Sequence, residues 1–142
     1  MKQLRNLYFF LALFISFSFF SLSVYSQEKN LRSSRLLGEA EFHFDTFYKI
    51  VDCGNGVPQF FITAFNESGK DLNISFNISL KDKKSGAIQE INVPFFAINK
   101  FELFAPKCSD KKYDFLKYNM NSQINYNDMD VTIKFTTKGR RY

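Results

Sequence analysis

Leu72–Leu80, the stretch LNISFNISL, decides the fold. Leu72, Ile74, Phe76, Ile78 and Leu80 alternate without a break with Asn73, Ser75, Asn77 and Ser79. Successive strand side chains point to opposite faces, so one face here is apolar and the other small and polar. A helix would scatter the same residues around its circumference. The period therefore gives a half-buried strand. A second alternation sets Val131, Ile133, Phe135 and Thr137 against Asp130, Thr132, Lys134 and Thr136.

Outward from these two segments, the chain breaks into short apolar runs separated by turn residues. Gln59–Phe65 (QFFITAF) is apolar on both faces, which suits a central strand covered on both sides, or one with a ligand or partner on its outer face. Asn66–Asp71 reads as a hairpin loop with Gly69 available for positive φ, and Lys81–Gly86 as the next turn. Phe42–Val51 gives a strand with a bulge at Asp45-Thr46. Ile88–Phe96 and Ile98–Ala105 read as two strands, with Pro94 marking an edge or bend. Phe115–Met120 and Gln123–Tyr126 read as one strand interrupted at Asn121-Ser122. This amounts to about seven strands over residues 42–138 and to an all-β domain.

The strand spacing resembles small exported immunoglobulin-like or fibronectin-III-like domains, which implies one antiparallel β-sandwich. The chain departs from antibody-type domains in having no tryptophan. Its cysteines flank strands rather than sitting in two facing central ones. The resemblance implies an architecture, since unrelated functions share this fold.

Residues 1–26 read as a secretory signal peptide. Lys2 and Arg5 precede the apolar run Leu7–Ile15, and small residues at Val24 and Ser26 mark a cleavage point before Gln27. The rival reading is an uncleaved anchor over Leu7–Tyr25. Five serines between Ser16 and Ser26, and the lack of a basic stop-transfer cluster, weigh against it. Export by the general secretory pathway to a periplasmic, surface or secreted location follows, with no stable membrane insertion after cleavage. Residues 27–41 read as a flexible lead-in and 139–142 as a basic tail. Loss of Lys2 and Arg5 lowers the formal charge from +5 to +3, 17 cations against 14 acids. That charge is spread along the chain, whereas nucleic-acid binding requires a concentrated basic stripe.

Cys53 and Cys108 are the only cysteines, and an even pair in an exported chain reads as a disulfide. No catalytic or metal set accompanies them. His43, the sole histidine, falls between Phe42 and Phe44 with Glu41 and Asp45 nearby, but no nucleophile motif goes with it. Acids cluster at Asp110/Asp114 and Asp128/Asp130, and paired carboxylates can hold calcium or act in glycoside hydrolysis; the second pair lacks the glycine and terminal glutamate of a calcium loop and reads as turn residues. Asn66, Asn73 and Asn77 each open an Asn-x-Ser triplet, a glycan acceptor in a eukaryotic secretory pathway. Thirteen phenylalanines and five tyrosines follow residue 26, some in adjacent pairs such as Phe60-Phe61 and Phe95-Phe96. One ring of each pair must point away from its own core face unless the sheet is covered or bulged there.

The sequence therefore points to a non-enzymatic exported binding or interaction module, an accessory of the bacterial envelope or surface. Its expected contact area is Asn73, Ser75, Asn77 and Ser79 flanked by Phe60 and Phe104, facing an envelope protein or glycan, with no cofactor or metal. The alternative is a small secreted hydrolase, or a hydrolase inhibitor, acting on envelope polymers through His43 with Glu41 or Asp45, or through the acids near Cys108.

Overall fold

The computed structural model describes residues 28–40 and 43–138. The expected signal peptide and basic tail, with Gln27, Glu41 and Phe42, lie outside the described residues. Eight strands follow in order: β1 (Lys29–Ala40), β2 (Phe44–Asp52), β3 (Pro58–Asn66), β4 (Leu72–Asp82), β5 (Ile88–Ile98), β6 (Leu103–Phe104), β7 (Lys117–Asn119) and β8 (Met129–Thr137). One 3-10 turn, Asp114–Leu116, precedes β7. All strand pairs are antiparallel and form two sheets, β1-β2-β3-β6 with β7 also on β3, and β5-β4-β8.

The alternation in LNISFNISL becomes the floor of the core. Ile74, Phe76, Ile78 and Leu80 are buried against Phe44, Tyr48, Ile50, Phe60 and Ile62 of the opposite sheet. Aromatic contacts knit the two layers together. Phe44 meets Phe135 edge-on with ring centres 5.9 Å apart, and Tyr48 stacks on Phe60 at 4.9 Å within its own sheet.

Five expectations are corrected. Residues 29–40, read as a lead-in, form a strand whose ladder with β2 shifts register three times. Those irregularities erase the two-residue period that betrays a strand in sequence. β2 itself has no bulge at Asp45-Thr46 and runs in unbroken register with β3. Asn66–Asp71 is no hairpin, because it carries the chain from one sheet to the other. Asn66, fully buried, anchors that crossing. Its amide donates to the carbonyls of Lys70 and Asn99, each at 2.9 Å, and its Oδ1 accepts from the Ser68 N–H and hydroxyl. Ile98–Ala105 is reduced to the two-residue β6, and residues 121–128 contain turns instead of a strand.

Gly38 is the one place where β1 needs a missing side chain. A Cβ there would lie 2.5 Å from Ile133 Cγ2, so the glycine lets β1 lean on β8 and close one flank of the sandwich.

Candidate functional site

The two sheets present unlike outer faces. On β5-β4-β8 the outer face is polar, as the alternation requires. Register places Ser79 between Glu90 and Thr132, and Asn77 between Asn92 and Lys134. Asn77, Ser79, Glu90, Thr132, Ile133 and Lys134 line a shallow hollow of about 400 Å³. Ser79 donates its hydroxyl to Glu90 Oε1 at 2.6 Å. Asn73, Ser75, Asn77 and Ser79 thus share the expected face, with Asn77 exposed.

The aromatic flank of that expected area is not there. Phe60 is 0% and Phe104 7% exposed, and both belong to the core between the sheets. Both point inward because Phe60 shares its strand face with Ile62 and Ala64, and Phe104 pairs across from Ala64. The outward ring is Phe95. A register shift between Ile74 and Phe76 sets Pro94 and Phe95 opposite the single residue Ser75. Lys138 Nζ sits 4.3 Å from the centre of the Phe95 ring.

The outer face of the other sheet is apolar, and half of it is roofed. Val51 and Phe61 are fully buried yet stand outside the main core. Their neighbours on the chain point inward, so both face away from the sandwich. Lys49 and Lys117 hold their ammonium groups 5.7 Å from the Phe61 ring centre. Glu28 pairs with Lys49 and receives the Cys108 N–H, while Lys117 donates to the Asp110 carbonyl and pairs with Asp114. The Cys53–Cys108 disulfide, Cα atoms 5.6 Å apart, ties this roof to the end of β2. Here the expectation that β3 is covered on both sides has its physical counterpart.

The other half of that face is open. Leu36 is 59% and Leu103 54% exposed, and between them on β2 and β3 lie the half-buried Phe47 and Phe65. Two residues before Leu103, Phe101 displays its ring from a turn with φ of 59°, a conformation bulky residues rarely adopt. Glu39 and Asp45 stand directly opposite each other on β1 and β2. Like charges so placed repel, and among the described residues neither has a cation in ion-pair reach. Asp45 Oδ1 is buried, with no hydrogen-bond donor among the described residues. Sequence reasoning missed this stripe because β1 had no readable period; the one available signal was Phe65, whose ring falls on the same strand face as Phe61.

The titratable groups are dispersed. His43 lies in a turn with φ of 60°, ahead of β2, and not on the strand expected over Phe42–Val51. Asp110 caps its own turn by accepting the Lys107 N–H, Asp114 pairs with Lys117, and Asp130 pairs with Lys83. Among the described residues no three His, Cys, Asp or Glu side chains gather as a metal-binding group. Asp82 is structural: Ser85 N–H, Asn125 N–H, the Ser85 hydroxyl and Lys84 N–H all donate to it, and these bonds lower its pKa from 3.8 to about 2.

Comparison with known proteins adds no kinship. The chain matches no family model, and no curated protein or solved structure is detectably similar to it.

Proposed function

We propose that this chain is an exported, non-enzymatic interaction module, an accessory of the bacterial envelope or surface, that docks a protein on the open half of the β1-β2-β3-β6 face. The observation that carries the reading is the stripe Leu36, Phe47, Phe65 and Leu103, an apolar patch left uncovered beside a roofed one. The unneutralised Glu39 and Asp45 beside it specify a partner surface that is apolar and carries a cation. The alternative, a small hydrolase or hydrolase inhibitor, finds less support in the scattered titratable groups.

Export rests on the N-terminal pattern, and the Cys53–Cys108 bridge supports it because disulfides persist in oxidising compartments. Among the described residues no helix is long and apolar enough to cross a membrane. An immunoglobulin-like lineage is part of the same proposal. β2-β3-β6 and β5-β4-β8 follow the A-B-E and C′-C-F strand neighbourhoods of such domains, with β1 added outside them.

The test is capture from an envelope extract by the oxidised exported chain, repeated with Leu36→Glu and Leu103→Glu. Both residues are exposed, so the variants stay folded, and the reading expects a captured protein to be lost from both. Capture that survives both changes overturns it. A second reading, a glycan on the polar face, is favoured by the hollow around Asn77 and Ser79. It expects glycan-array binding that Asn77→Ala and Ser79→Ala abolish.

A further inference from the structure

Every sheet edge in this sandwich but one is protected against pairing. β1 is broken by three register shifts. β6 and β7 are two and three residues long. β5 carries Pro94 and a register shift, its Asn92 carbonyl accepts the Tyr118 hydroxyl, and Gln89 bonds the backbone of Asn119 and Asn121. Short strands, proline, bulges and covering groups are how proteins blunt an edge. β8 is nine residues long with no proline and no register shift, and its only guards among the described residues are the side-chain packing of β1 at Gly38 and the charges of Asp130 and Lys134. Its nine residues run in unbroken register with β4, from Ile74↔Thr137 to Asp82↔Met129.

Two backbone bonds fix which groups of β8 are free. Lys138 N–H donates to the Asn73 carbonyl and Lys83 N–H to the Asp128 carbonyl, each at 3.1 Å. In an antiparallel ladder bonded pairs recur every second residue. Asp128, Asp130, Thr132, Lys134, Thr136 and Lys138 therefore bond toward β4. The N–H and C=O groups of Met129, Val131, Ile133, Phe135 and Thr137 point to the far edge, where no strand among the described residues pairs. β1 leans on this flank through Gly38 without a backbone bond to β8. Val131, Ile133 and Phe135 are only partly buried, whereas Ile74, Phe76, Ile78 and Leu80 beside them are 0–1% exposed.

We infer that β8 is a self-association edge, pairing antiparallel with β8 of a second copy to make one six-stranded sheet. The charge pattern selects both the occupant and the register. A two-fold axis at Thr132 sets Asp130 opposite Lys134 of the other copy, twice, in the pair type where side chains approach closest. An axis at Ile133 sets Lys134 opposite a threonine, and one at Lys134 sets the two lysines against each other. Among the described residues no carboxylate lies in ion-pair reach of Lys134, and Asp130 holds Lys83 only at 3.4 Å on an exposed surface. The pairing joins two polar hollows into one continuous face and is separate from the apolar stripe on the other sheet.

Sedimentation equilibrium of the oxidised exported chain tests this. The expected result is a monomer–dimer equilibrium in which Lys134→Asp weakens association about tenfold, and adding Asp130→Lys restores it to within about threefold. Thr132→Cys is expected to cross-link to its own counterpart under mild oxidation and Thr136→Cys is not, which reads the register even where a charge variant loses its fold. A chain that stays monomeric up to roughly 1 mM, a dimer indifferent to Lys134→Asp, or a cross-link at Thr136→Cys but not at Thr132→Cys overturns the inference.

Discussion

Asp82 and Gly38 carry more of the architecture than their size suggests. The Asp82 carboxylate gathers donors from its own turn and from Asn125, so the β4-β5 corner and the approach to β8 share one acceptor. Its pKa falls from 3.8 to about 2 on folding. A lowered native pKa stabilises the fold at pH above about 4, and this contribution is lost as pH falls through about 2. Chemical denaturation across that window is expected to show an acid-sensitive limb that Asp82→Asn flattens, while lowering the midpoint at neutral pH. Gly38→Ala is expected to cost about 1–3 kcal/mol, since the added Cβ meets a stiff β-branched side chain. Equilibrium unfolding measures it, and an unchanged midpoint shows that Ile133 yields freely.

At the level of elements, the bridge between Cys53 and Cys108 closes 55 positions of chain and also pins a roof over Phe61 and Val51. Replacing both cysteines with serine is expected to lower stability by about 4 kcal/mol by chain entropy alone. Hydrogen exchange is expected to rise first at the amides around Phe61. Equal loss across the whole fold contradicts the roof. The strands with a clean two-residue period, β4 and β8, were legible in the sequence almost to the residue. β3 announced its double covering through Phe60-Phe61, and the disulfide followed from cysteine count and compartment. β1 was not legible, because three register shifts scramble its alternation and leave Leu36 and Leu37 side by side, one exposed and one buried. The crossing at Asn66 reads as a hairpin in sequence because the same Asn-Ser-Gly chemistry serves both, and only the buried amide network distinguishes them. Of the expected contact area, the polar row could be read from periodicity alone. The facing of Phe60 and Phe104 depends on which side of each strand meets the other sheet, which alternation leaves undetermined.

Across the whole molecule, the start of the described chain is tied down: Glu28 joins Lys49 and the Cys108 amide. Cleavage before Gln27 is expected to leave that carboxylate in place, and N-terminal sequencing of exported protein should begin at Gln27. A product that retains the apolar run instead identifies an anchor. The order of assembly follows from where β1 and β8 meet. β1, the first of the described strands, rests on β8, the last of them, and β4 likewise waits for β8 as its second ladder partner. If the chain is exported as proposed, a polypeptide threaded head first cannot close its interior until nearly all of these strands have emerged. Such a topology would keep the passenger slack enough for a narrow channel and confine final compaction to the far side.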